Sequence, residues 1–214
     1  CAIVRHQPVS DRVEWVARLA ASWASLRAAE TGERRVALVL ANYPNKDSRI
    51  ANGVGLDAPA STTTLLRALS EAGYRIGQAP CEDPKALMDV LLTGPTNLDP
   101  SRQSTTTLHL SAADYEAFFA ALDPQVRTAI SERWGAPSAD PFWDGNGFHL
   151  ALHRFGNILL GIQPQRGYHL DIEGTYHDPD LVPPHGYLAF YAAVRAQADA
   201  VVHVGKHGNL EWLP

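Results

Sequence analysis

Arg35-Val36-Ala37-Leu38-Val39-Leu40-Ala41 decides the fold. It is a short, nearly continuous apolar run rich in β-branched residues, bounded by charge on one side and by Asn42 on the other. A strand covered on both faces reads this way, because neither set of alternating side chains meets water. The run therefore predicts a buried parallel strand. A loop rich in Asn, Pro and Gly follows it, and then Asp57 and Pro59 supply a cap and a first-turn proline for a helix through Leu65, Leu66 and Leu69, stopped by Gly73. With Tyr74 to Ile76 as the next extended segment, residues 35–80 read as a βαβ element with a right-handed crossover.

Working outward, residues 11–29 place Val13, Trp15, Val16, Leu19, Trp23 and Leu26 mostly three and four apart, an amphipathic helix whose stripe is expected in the core. The two tryptophans mark a subunit surface in the alternative reading. A short helix is expected from Pro84 to Leu92, and Ser111 opens a longer one with Tyr115, Phe118, Phe119 and Leu122 inward. Asp123-Pro124 breaks that helix and begins another, which carries Val126 and Ile130 to Gly135. Gly94 to Thr107 is polar and reads as mobile. Residues 148–152 and 157–162 read as two strands across a turn, and Gln163 to Pro184 as a long loop dense in charge and histidine. Pro183-Pro184 start a helix from about His185 to Gln197, and 198–204 (ADAVVHV) reads as a further buried strand. The fold class expected is α/β, with parallel-sheet βαβ elements and flanking helices. Three regions are expected: an N-terminal helix (1–30), an α/β region with a helical insertion (31–145), and a second α/β region (146–214).

The chain has 214 residues, 45% hydrophobic and 19% charged, which suits a folded protein. A net charge of -5 without a basic run argues against nucleic acid as a partner. No apolar stretch reaches the roughly 20 residues that span a bilayer, and no signal peptide is legible, so a cytoplasmic location is expected. Cys1 and Cys81 have no metal-ligand spacing and argue against a disulfide scaffold. Both ends, Cys1 and Glu211-Trp212-Leu213-Pro214, read as cut from something longer.

Several segments invite chemistry. The loop Asn42 to Asp57 carries Gly53 and Gly55 ahead of a helix, but matches neither a Walker A loop nor a dinucleotide fingerprint, so a turn-forming role is favoured over phosphate binding. His169, Asp171, Glu173, His177, Asp178, Asp180 and His185 offer nitrogen and oxygen donors, yet at no recognised metal spacing; ordinary surface turns are favoured. His203, in an apolar run, is favoured as a hydrogen-bonded core histidine, since an unpartnered imidazole there costs about 1 to 3 kcal/mol. His207 lies between Gly205 and Gly208 just past a strand end, where open α/β sheets bind ligands, and Glu211 follows four residues later. On a helix that spacing puts imidazole and carboxylate on one face, able to relay a proton or share a metal ion.

The wording of the sequence adds a resemblance. GIQPQRGYHLDIEGTYHDPDLVPPHGYLAFYAAVRAQADAVVHVGKHGNLEWLP (161–214) resembles the large subunit of aerobic cobaltochelatase, the CobN type, and more distantly the large subunit of magnesium chelatase; VALVLANYPNKDSRIANGVGLDAPAST (36–62) is similar to the same family. The resemblance implies a piece of a larger multidomain subunit that binds a tetrapyrrole and hosts ATP-driven insertion of cobalt(II), the metal substrate, into hydrogenobyrinic acid a,c-diamide during cobalamin synthesis. ATP and Mg are used by partner subunits of the CobS and CobT types, consistent with the missing Walker A loop, and no bound cofactor is expected in this chain. QPQRGY, PPHGY and HGNLEW favour cobalt over magnesium. In this reading His207 and Glu211 accept pyrrole protons or deliver metal, His185 is a third catalytic candidate, and Gln163, Arg166, Tyr168, Tyr187 and Trp212 position the ring. A magnesium-chelatase-like homologue and a non-catalytic binding module are the alternatives.

Overall fold

The computed structural model describes residues 6–42, 47, 50–53, 55–168 and 180–205. The apolar run forms β1 (Val36–Leu40), buried at every position. It is flanked by parallel partners on both sides: β6 (Ile158–Ile162) through Val36↔Ile158 and β7 (Ala200–Val204) through Val36↔Ala200. Two further strands, β4 (Thr107–Ser111) and β5 (Gly147–Phe155), extend the sheet through antiparallel pairings to give the order β4-β5-β6-β1-β7. Only β5 runs against the rest, so the sheet is mostly parallel in direction. A separate ribbon pairs β2 (Asn52–Gly53) with β3 (Leu56–Asp57).

Alternation along β1 divides the core. Val36, Leu38 and Leu40 face α2 (Ala58–Glu71) and α3 (Pro84–Leu91) through Leu66, Leu87 and Leu91. Ala37 and Val39 face the other layer, where α4 (Ala112–Ala120) and α6 (His185–Gln197) supply Tyr115, Ala189, Phe190 and Ala193. This is the helix-sheet-helix layering expected of an α/β chain. The caps read from sequence form as expected: Asp57 accepts from Ala60 N at 3.0 Å, Asp83 from Lys85 N at 2.8 Å, and Ser111 from Asp114 N at 3.1 Å. Asp123 likewise opens α5 (Pro124–Trp134), accepting from Gln125 N at 2.7 Å.

Four expectations are corrected. Residues 74–76 form no strand; Arg75 O instead accepts from Asn157 N at 2.7 Å, and Gly77 packs against Gly156, so the segment braces the β5–β6 turn. The neighbours of β1 are thus β6 and β7, far along the chain, rather than a strand closing a local βαβ unit. The helix α1 (Ser10–Ala28) forms, but its stripe is not core: Trp15 and Trp23 are 55% and 66% exposed, because among the described residues no element covers that face. Hydrogen bonds from Arg34 to the Ala29 and Arg27 carbonyls hold its C-terminal end. β7 lies at the sheet edge, which leaves Val201, Val202 and His203 exposed; His203 is not a core histidine, and its ring stacks with Tyr191 at 6.3 Å. Finally, Gly94–Thr107 is not simply a polar mobile stretch: Thr96 and Asn97 are buried, and its end becomes β4.

Because Leu38 is fully buried in the core, Leu38→Ala is expected to destabilise the fold by about 2 to 5 kcal/mol, measured by chemical denaturation, with no effect on α1 helicity.

Candidate functional site at the carboxyl edge of the sheet

Three parallel strands, β6, β1 and β7, end side by side, and their carboxyl ends lead into Gln163, Ala41-Asn42 and Gly205. Ligands of open α/β sheets gather at such an edge because the connections diverge there and expose backbone polar groups. Gln163 continues the ladder, its N–H donating to Leu40 O at 2.9 Å, while its side-chain amide donates to Tyr191 Oη at 3.4 Å. Asn97 clamps the same segment: Nδ2 donates to Gln163 O at 2.9 Å, and Oδ1 accepts from Gln165 N at 3.2 Å. Asn42 is buried beside them, and among the described residues neither its amide nitrogen nor its oxygen has a hydrogen-bond partner. A buried amide left so carries a desolvation cost of about 1 to 3 kcal/mol, which marks a place where a ligand's polar group would be favourable.

Behind the edge lies a buried polar cluster around the N-terminus of α6. Asp140 Oδ2 accepts from Gly186 N at 2.7 Å and Tyr168 Oη at 3.0 Å, and its Oδ1 accepts from Phe142 N at 3.0 Å. Burial pushes this carboxyl above its ordinary value, and the donors work in the opposite direction. Burial, reinforced by the Asp140 charge, holds the Tyr168 hydroxyl well above its usual range. His185 is wholly buried, with Nδ1 2.6 Å from Tyr115 Oη and Nε2 donating to Gly135 O at 3.1 Å. The Gly135 bond fixes the tautomer: Nε2 carries the proton and Nδ1 accepts from the tyrosine. Burial lowers the His185 pKa, so the ring is held neutral. One imidazole thereby ties together α4, the C-terminal end of α5 and the start of α6.

The predicted site residues fall into two groups. Gln163, Arg166, Tyr168, Tyr187 and His185 belong to this edge and its backing. Arg166 is buried and donates from Nη2 to Leu181 O at 3.0 Å; Tyr187 is buried with its ring 5.0 Å from that of Tyr191. His207, Glu211 and Trp212 lie outside the described residues, as do His169, Asp171, Glu173, His177 and Asp178. Sequence reasoning missed Asn42, Asn97, Tyr115 and Asp140. Asp140 sits in a Pro-flanked stretch that reads as an ordinary turn, and Tyr115 on a helix stripe that reads as plain core.

Comparison with known proteins places this architecture. The CobN/Magnesium Chelatase family matches residues 1–214. The chain belongs to that family. It is 52% identical over 214 residues to the aerobic cobaltochelatase subunit CobN of Sinorhizobium sp, covering 99% of this chain and 17% of that protein. It is 50% identical over 220 residues to the same-named subunit of Pseudomonas aeruginosa, again 99% of this chain and 17% of the relative. To the large magnesium-chelatase subunit of Chlorobaculum parvum it is 31% identical over 211 residues, 97% of this chain and 16% of that protein. A solved structure, the catalytic subunit of cobaltochelatase from Mycobacterium tuberculosis, superposes with a TM-score of 0.81 at 38% identity, covering 97% of this chain and 18% of that one. The chain thus spans about a sixth of the length of the CobN proteins it matches. The resemblance drawn from the 36–62 and 161–214 blocks therefore extends across the intervening residues 80–145. Among the described residues, no helix is long and apolar enough to cross a membrane.

Two outcomes are expected. A Cβ at Gly186 would lie 2.6 Å from Tyr168 Oη and 2.9 Å from Asp140 Oδ1, so Gly186→Ala should displace Tyr168 and raise amide exchange at the start of α6, read by hydrogen-exchange mass spectrometry. His185 and His153 both have pKa values lowered by burial, so the unfolded chain binds more protons than the folded one once the pH drops below the ordinary histidine value. Their stabilisation is present above about pH 6.5 and is lost as the pH falls from there through the folded values; thermal unfolding followed against pH should show this loss, and His185→Gln should flatten it.

Proposed function

We propose that this chain is part of the tetrapyrrole-binding large subunit of a cobaltochelatase, in which ATP-driven partner subunits of the CobS and CobT types power insertion of cobalt(II) into hydrogenobyrinic acid a,c-diamide in cobalamin synthesis. The reaction is that of a ligase forming nitrogen–metal bonds, carried out in the cytoplasm by a multisubunit complex. What carries the reading is the contrast in similarity: 52% and 50% identity to two subunits named for cobalt, against 31% to one named for magnesium. The buried polar edge supports it, because a ring bearing amide and carboxylate substituents needs donors and acceptors at its rim as much as an apolar floor.

Metal insertion removes two pyrrole protons and strips water from the cation. In this reading His207 and Glu211 take the protons or pass the metal inward, as a neutral imidazole and a carboxylate can do near neutral pH, and Trp212 covers a face of the macrocycle. Gln163 and Asn42 stand at the rim, where an amide substituent of the ring would satisfy the Asn42 side chain. Arg166, Tyr168 and Tyr187 are buried and hold the edge in shape, and His185, with both nitrogens engaged, acts as a positioning residue through α6.

The test is a titration and a turnover assay in the complete complex. Binding of the cobalt-free corrinoid, without binding of porphyrin precursors of the magnesium pathway, is expected. His207→Ala and Glu211→Ala should each slow cobalt insertion by about a hundredfold while leaving ring affinity nearly unchanged. Unchanged turnover removes the pair from the mechanism, and failure to bind either ring leaves a non-catalytic module.

A further inference from the structure

A second convergence of ionisable side chains lies at the antiparallel end of the sheet, away from the carboxyl edge of β6, β1 and β7. His109 of β4 and His149 of β5 are register partners, with ring centroids 5.0 Å apart in an edge-to-face arrangement. Asp144, in the loop entering β5, sets Oδ2 2.9 Å from His149 Nε2 and 3.2 Å from His109 Nε2. Ligand atoms from all three lie within 4.8 Å of one another. Successive residues on a strand point to opposite faces, so His149 lies across β5 from Phe148, whose ring packs on Tyr115. The cluster is therefore separated by the sheet from His185 and Asp140.

The arrangement is built rather than incidental to a mobile surface. Asp144 Oδ1 is held by Asn146 N–H at 2.8 Å, and Asp144 N–H donates to Gly147 O at 3.0 Å, which turns Oδ2 alone toward the imidazoles. Gly147 permits the approach of His109: a Cβ there would lie 2.8 Å from the His109 ring and 2.1 Å from Leu110 O. The side chains of His109, Asp144 and His149 are 34%, 23% and 20% exposed, which leaves a path for a small ion and for water.

We propose that His109 Nε2, His149 Nε2 and Asp144 Oδ2 form a binding site for a divalent transition-metal cation of the borderline class, such as cobalt, nickel or zinc. Bonds of about 2.0 to 2.2 Å to a tetrahedral ion place neighbouring ligand atoms about 3.3 Å apart, close to the separations here, and two imidazoles with one carboxylate form a donor set suited to these ions rather than to magnesium or calcium. Without metal, each Nε2–H donates to Asp144. With metal, each ring binds as the neutral tautomer with its proton on Nδ1, and for His149 this breaks no existing bond, since its Nδ1 has no partner among the described residues. Water completes the coordination on the exposed side. The Asn146 and Gly147 contacts to Asp144 are the outer support that fixes a ligand's direction.

The experiment uses the complete polypeptide that carries these residues, stripped with a chelator, and cobalt(II) alone as the probe, with neither tetrapyrrole nor ATPase subunits present. Isothermal titration and visible absorption are compared for the wild type, His109→Gln, His149→Gln and Asp144→Asn, with circular dichroism to confirm folding. The wild type is expected to bind one more equivalent than any variant, or to bind it at least about tenfold more tightly, with an imidazole signature in X-ray absorption that the histidine variants lose. Equal stoichiometry, affinity and spectra in all four proteins would overturn the proposal and leave a histidine–carboxylate ion pair. Should a variant fail to fold, anomalous scattering at the cobalt edge from wild-type crystals soaked in the metal decides: a peak between the three ligand atoms supports the site, and its absence refutes it. Neither readout depends on turnover, so the site stands or falls separately from the chelatase reading.

Discussion

The carboxyl edge depends on the burial of β1 between two parallel partners. Its five residues are buried on both faces, and its hydrogen-bonding groups are taken by β6 on one side and β7 on the other. A strand so placed cannot shift by one residue without exchanging the set that faces α2 and α3 for the set that faces α6. That fixed register brings the ends of β6, β1 and β7 level, and with them Gln163, Asn42 and Gly205. β1 is more than a hundred residues from either partner in sequence, so the edge exists only once the whole sheet has assembled.

Two kinds of polar structure sit on that frame, and physical cost separates them. The Asp140, Tyr168, Gly186 and His185 network is buried and hydrogen-bonded, and it holds His185 in a neutral form. Groups so engaged rigidify the start of α6 rather than meet a ligand. Asn42 differs, because its amide is buried without a partner among the described residues, and the His109, Asp144 and His149 group differs again in being partly open with three donors aimed at one point. The sheet thus carries its two candidate reactive regions at different places: one at the parallel carboxyl ends, the other where β4 and β5 pair antiparallel.

Local readings succeeded where the determinant was local. Asp57, Asp83, Ser111 and Asp123 cap helices as their spacing to the next apolar run predicts, since a cap needs only a side chain and the next turn's N–H groups. They failed where exposure depends on a neighbour. Residues 198–204 are as apolar as β1, yet Val201, Val202 and His203 are exposed, because composition cannot tell an edge strand from a central one. The stripe of α1 likewise has the right period and no cover among the described residues. β4 is marked only by Leu108 and Leu110 flanking His109, and five residues without a turn signal are easily absorbed into the polar stretch before them.

By itself the sequence determined the α/β class, the buried β1, most helix starts and, through the blocks at 36–62 and 161–214, the family, because each is written in contiguous residues. Tertiary structure alone decided the strand order, the exposed edge at β7, the clamp of Asn97 on Gln163, the engagement of His185 by Tyr115 and Gly135, and the meeting of His109 with His149. Each of these contacts joins residues far apart in the chain, and no local periodicity encodes which distant side chain arrives at a given point. The packing of the two helical layers on one sheet supplies that information, and with it the distances on which any chemistry at these groups depends.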